Sequence, residues 1–188
     1  MVEATWKKMY PAKYYDKVFA KGYGGPEVGP YDVLYKWVLD VYEREFRDKF
    51  PFIDIACGPG YLLKEGANRG IVVDGLDFSE QAILRAQKLS PNSQTYLCDV
   101  SDAGEILKKY QCFSMTEFLE HYPNDVGFLG SLPSGSVVIA SVPNKLHRSH
   151  VRYFTSKEEV TERYSPVFKD FNLNFVWMGK YCFYGTIA

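Results

Sequence analysis

Apolar and polar positions alternate along the chain in two rhythms. Five short apolar runs, Phe50 to Ala56, Ile71 to Leu76, Thr95 to Cys98, Cys112 to Phe118 and Val137 to Val142, are each bounded by turn residues and read as strands. Between them the period lengthens. Tyr31 to Arg47 sets Leu34, Trp37, Val38, Val41 and Tyr42 at helical spacing, and Tyr61 to Asn68 is also helical in pattern. Ser79 to Leu89 opens on a capping serine and gathers Ala82, Ile83, Ala86 and Leu89 on one face. Thr155, three residues before Glu158, is expected to cap a helix that runs to about Tyr164. Strand and helix in strict alternation predict a parallel sheet with helical crossovers.

The tail breaks this rhythm. Phe168 to Met178 and Tyr181 to Ala188 are strand-like runs joined directly by Gly179-Lys180, a link too short for a crossover, so an antiparallel hairpin is predicted. At the other end, Met1 to Pro30 is rich in Tyr, Lys and Gly and reads as a short helix followed by loop. The expected fold class is therefore α/β: a doubly wound, mostly parallel sheet of about seven strands with a terminal antiparallel hairpin strand.

Composition adds bounds. With 188 residues, 46% apolar and 16% aromatic, the chain suffices for one sizeable core. A net charge of -1 argues against an extended nucleic-acid groove. Cys57, Cys98, Cys112 and Cys182 form no C-x-x-C pair and sit in or beside apolar runs, as reduced core thiols do. No apolar run reaches membrane-span length and Met1 to Tyr10 has no signal-like stretch, so a cytoplasmic setting without membrane partners is expected.

The chemistry begins where the first strand ends, at Asp54-Ile55-Ala56-Cys57-Gly58-Pro59-Gly60. A strand that turns through glycines into a helix presents backbone N–H groups at the sheet edge, and a side chain there would obstruct a ligand. Two acids follow at the ends of the next strands: Asp77, beside Phe78, and Asp99, beside Val100. The first is placed to accept two ribose hydroxyls, Phe78 offers a face to adenine, and Asp99 can accept an exocyclic amine. A dinucleotide oxidoreductase is the natural rival, but the last glycine of its G-x-G-x-x-G would fall at Leu63.

Phe52 to Leu63 resembles motif I of the class I, Rossmann-like S-adenosylmethionine-dependent methyltransferases, D-x-x-C-G-x-G, and the resemblance runs from about Tyr31 to Ala188. It implies S-adenosylmethionine as cofactor, held by Asp54, Cys57, Gly58, Gly60, Asp77, Phe78, Asp99, Val100 and Glu117. The chain departs from the common G-x-G-x-G pattern at Leu62. It also implies a methyltransferase domain over 31–188, with 1–30 as a cap segment over the active site in which Tyr14, Tyr15 and Tyr23 are candidate contacts.

The acceptor side lies in Glu117-Phe118-Leu119-Glu120-His121 and in the stretch Lys145 to Thr155. These resemble the L-E-H motif and the later H-x-R-Y-F-T stretch of the methyltransferase group that includes ubiquinone-biosynthesis enzymes, in which the motif stands beside the methyl-transfer centre. The implied reaction moves a methyl to oxygen or nitrogen of a small acceptor, with His121, His150 and Glu117 as candidates for proton removal or positioning. Lys145, Arg148 and Arg152, with Lys7 and Lys8, are the basic residues that would border an acidic acceptor. This reading uses no metal.

Two alternatives stand beside it. Glu117, Glu120, His121 and His150 also resemble the E-x-x-E-H plus distant histidine of metal-dependent methyltransferases that modify the terminal ribose of small RNAs. A non-catalytic protein that binds the cofactor alone is the other.

Overall fold

The computed structural model describes residues 2–3, 10–22, 31–46 and 50–188. The chain forms two compact units, Tyr10–Tyr110 and Gln111–Ala188, the second joined by the amino-terminal strand β1, Val2–Glu3.

In Tyr10–Tyr110, three parallel strands, β2 (Phe52–Ile55), β3 (Asp74–Asp77) and β4 (Thr95–Leu97), lie in the order β4-β3-β2. All four residues of β2 are buried, as a run covered on both faces requires. Around the strands are α1 (Ala12–Ala20), α2 (Asp32–Val41), α3 (Tyr61–Asn68), α4 (Glu80–Leu89) and the short α5 (Gly104–Leu107). Helix α2 buries Leu34, Val38, Leu39 and Val41, then passes into a π-helical turn at Tyr42–Phe46, where Tyr42 stacks on Phe52. Helix α4 is capped as expected, the Ser79 hydroxyl accepting from the Ala82 N–H, and buries Ala82, Ile83 and Ala86.

In Gln111–Ala188, β5 (Cys112–Thr116) and β6 (Val137–Pro143) are parallel, and β9 (Lys180–Ile187) and β8 (Phe168–Trp177) continue antiparallel in the order β5-β6-β9-β8. A separate two-residue strand, β7 (Arg152–Tyr153), pairs with β1, and helices α6 (Asp125–Ser131) and α7 (Lys157–Tyr164) complete the unit. All of β6 is buried, and Tyr164 stacks on Phe183 with both rings inaccessible.

The fold class is the expected one: seven strands of a mixed, mostly parallel sheet that ends in an antiparallel hairpin. The strand expected over Ile71 to Leu76 is Asp74–Asp77, and the hairpin link and one helix cap move by one residue. The hairpin link is Met178-Gly179, not Gly179-Lys180, because both turn positions take positive φ (46° and 76°), and Lys180 is left free to pair with Pro143. The cap of α7 is Ser156, which accepts from the Glu159 N–H, while the N–H and hydroxyl of Thr155 donate to the Glu159 carboxylate. No described helix is long and apolar enough to cross a membrane.

Candidate functional site

The loop after β2 is built by its backbone. Ala56, Gly58 and Gly60 all have positive φ, at 57°, 52° and 84°. Gly60 is required for packing, since a Cβ there would lie 2.8 Å from the Cα of Ala86 on α4. The loop is tied to the next strand end by Asp77: its Oδ2 accepts from the Gly58 N–H (2.9 Å) and its Oδ1 from the Ser79 N–H (2.8 Å). Asp77 is buried, and desolvation raises its carboxyl to about 6 against the pull of those N–H donors. Asp54 and Cys57 are buried in the same unit, and burial followed by the charge of Asp77 pushes the Cys57 thiol well up, so it stays a neutral packing group.

Phe78 is half-buried, and the Tyr15 ring stands 5.4 Å from it. Asp99 caps the 3-10 turn Val100–Asp102, its Oδ1 accepting from the N–H and hydroxyl of Ser101, and Val100 is buried behind it. The strand-end acids and glycines predicted from sequence thus stand in one unit. Helix α1 adds residues that the pattern did not single out. Asp16 accepts from the Ser79 hydroxyl (2.6 Å) and the Gln81 N–H (3.3 Å), and the Phe19 ring lies 3.6 Å from where a Cβ on Gly58 would be. Tyr14 packs on Tyr10 and Tyr15, whereas Tyr23, Lys7 and Lys8 lie outside the described residues.

The second cluster belongs to Gln111–Ala188 and contains every histidine of the chain, His121, His147 and His150. Glu120 is 0% exposed, and neither of its carboxylate oxygens has a hydrogen-bond partner among the described residues. A bare buried carboxylate is costly, and burial, then the nearby charge of Glu117, raises its pKa well above the ordinary range. Facing its Oε1 are His121 Nε2 at 3.9 Å and His150 Nε2 at 4.0 Å, too long for hydrogen bonds and within the span of two bonds to one cation.

Both imidazoles are oriented for such a role. His121 Nδ1 meets the Ser149 carbonyl at 2.9 Å and His150 Nδ1 meets the Lys145 carbonyl at 3.1 Å. A carbonyl only accepts, so each Nδ1 carries a proton, and in the neutral ring it is Nε2 that offers a lone pair on the side of Glu120. His147 is the opposite: its Nδ1 accepts from the Ser149 N–H, so its Nε2 is protonated and cannot ligate in this tautomer. Glu120, His121 and His150 hold ligand atoms within 4.8 Å of one another.

Glu117, expected with them, is engaged elsewhere. It sits at a φ of 56°, pairs with Lys180 Nζ at 2.5 Å and accepts from the Ser141 hydroxyl at 3.0 Å. Arg152 does not border an acceptor either, being 3% exposed and bonded into the protein; among the described residues of the predicted basic group, Lys145 and Arg148 are exposed.

No family model matches the chain. It is 35% identical over 77 residues to the YqeM protein of Bacillus subtilis, which carries a provisional methyltransferase name; the match covers 41% of this chain and 30% of that protein. It is 26% identical over 121 residues to the ubiquinone biosynthesis O-methyltransferase of Glaesserella parasuis, covering 57% and 51%. The chain thus spans about half or less of the length of these curated relatives. Among solved structures, magnesium protoporphyrin IX methyltransferase from Synechocystis, crystallised with S-adenosylhomocysteine, superposes with a TM-score of 0.66 at 17% identity, covering 94% of this chain and 97% of that one. The chain has the Rossmann-like fold of the S-adenosylmethionine-dependent methyltransferases.

Proposed function

We propose that the chain is an S-adenosylmethionine-dependent methyltransferase that moves a methyl group to an oxygen or nitrogen of a small acceptor. The observation that carries this reading is Asp77. Its carboxylate is locked to the glycine loop through the Gly58 and Ser79 N–H groups, and a carboxylate, with about four lone-pair sites, keeps acceptor capacity for the ribose. Phe78 supports the adenine ring, and Asp99, which uses Oδ1 for Ser101, keeps Oδ2 for the adenine amine. Gly58 and Gly60, free of side chains, let the methionine portion approach the loop, with Asp54 as the acid for its amino group. The bound cofactor supplies a methyl on a sulfonium, and the protein's task is to aim an acceptor lone pair at it.

A second reading is favoured by the bare carboxylate of Glu120. With His121 and His150 it offers two neutral imidazole nitrogens and a carboxylate, a donor set suited to a divalent transition metal. Such an ion would be held by those three groups and would lower the pKa of an acceptor hydroxyl, giving O-methylation of a vicinal diol such as a ribose at an RNA end.

One experiment separates the readings. Radiolabelled S-adenosylmethionine is offered with hydroxyl and amine acceptors and with RNA ends, in EDTA and in manganese. Transfer to a small acceptor in EDTA supports the metal-free reading. Transfer to diols or RNA ends only with manganese, abolished by His121→Ala, supports the second. No transfer to any acceptor with cofactor bound would contradict both and leave a binding protein.

A further inference from the structure

The Arg152 guanidinium is more deeply engaged than any exposed basic residue near it. Its Nη1 donates to the carbonyls of Leu119 and Tyr122, and its Nη2 to the carbonyl of Pro123, each at 2.7 Å. Nη1 also lies 3.0 Å from Asp125 Oδ2. Those carbonyls flank Glu120 and His121 on both sides. The backbone that carries Arg152 carries His150 two residues earlier, and the Val151 N–H donates to the Glu120 carbonyl at 2.7 Å. Asp125, itself 0% exposed, is held from its other side by Arg163 and by the Tyr164 hydroxyl.

We infer that Arg152 is the positioning residue of the Glu120, His121 and His150 cluster, the group that keeps its two chain segments at cation-binding spacing. This rests on the cation reading of that cluster. The loop 117–124 carries both Glu120 and His121. It contributes a buried carboxylate whose oxygens have no hydrogen-bond partner among the described residues, so no such bond from the Glu120 carboxylate holds the loop closed. Three carbonyls gathered on one planar, permanently charged fork do. A lysine in the same place carries the charge but cannot span three carbonyls and a carboxylate in fixed directions. The loop would then remain folded while its ligand atoms lose their common centre.

The test is manganese binding, followed by electron paramagnetic resonance, for the wild type, Arg152→Lys and Arg163→Met. Circular dichroism melts and S-adenosylhomocysteine binding report on the fold of each. Wild type is expected to bind one manganese ion. Arg152→Lys is expected to bind S-adenosylhomocysteine as the wild type does, but manganese at least tenfold more weakly. Arg163→Met, which removes support from Asp125 without touching a loop carbonyl, is expected to melt earlier and bind manganese normally. If Arg152→Lys does not fold, Asp125→Asn, which loosens the guanidinium's anchor, is expected to weaken manganese binding in the same direction. Wild-type manganese affinity in folded Arg152→Lys or in folded Asp125→Asn overturns the assignment. Failure of the wild type to bind manganese overturns the cation reading itself, and the role of Arg152 with it.

Discussion

At the residue scale, Asp77 ties the glycine loop to the end of the next strand. Burial raises its carboxyl to about 6, above the ordinary carboxylate value of 3.8. The stability it lends the empty protein is therefore fully present below the ordinary value and is lost as pH rises through about 6. Cofactor binding runs the other way, because the ribose hydroxyls donate and need the ionised carboxylate. S-adenosylhomocysteine affinity is expected to rise as pH is raised to about 7 and then level off, being about tenfold weaker at pH 5. Isothermal titrations across that range check the sign, and a flat profile would remove Asp77 from the ribose contact. Glu120 presents the opposite case, a buried carboxylate with no hydrogen-bond partner on its oxygens among the described residues, faced by two imidazoles at 3.9 and 4.0 Å. Both acids were recognisable in the sequence because each lies just past a strand-like run. The engagement of Glu117 by Lys180 was not, since that pair joins residues 63 positions apart. Arg152 was misread for the same reason: among Lys145, Arg148 and the histidines it looks like part of a surface charge group, and only the folded loop turns three carbonyls towards it.

At the scale of elements, the alternation of apolar runs and helical stretches carried most of the architecture. Helix α3 occupies the span its spacing predicts, and Ser79 caps α4. Misplacements occurred where backbone geometry outranks side-chain pattern. The hairpin turn places Met178 at positive φ, a position for which methionine carries no mark in a sequence, so the adjacent glycine drew the link one residue too far. The pair β1·β7 and the helix α6 are too short to show a period. The loop between β2 and α3 is the element on which the cofactor reading depends, and Gly60 is its tightest point. Gly60→Ala must accommodate a φ of 84° and a Cβ 2.8 Å from the backbone of α4. A loss of roughly 1–3 kcal/mol is expected, read as an earlier melt. An unchanged melting temperature would mean that the turn can relax without cost and is not built as described.

At the scale of the molecule, the two units divide the chemistry. Tyr10–Tyr110 holds the glycines and the acids Asp54, Asp77 and Asp99, and Gln111–Ala188 holds Glu117, Glu120 and all three histidines. That division explains why the cofactor was legible in the sequence and the acceptor was not. A nucleoside is gripped by short motifs at successive strand ends, whereas the histidine cluster is assembled from two segments whose spacing is set by Arg152. The fold is shared with solved methyltransferases and by itself fixes no acceptor, which is left to the cluster. The most direct test of the account is a calorimetric titration of S-adenosylhomocysteine into the wild type and Asp77→Ala. The account predicts saturable single-site binding by the wild type and at least a tenfold loss in the variant, the worth of a charge-assisted bond of about 1.5–3 kcal/mol. No saturable heat from the wild type at millimolar ligand, or undiminished affinity in the variant, would contradict it.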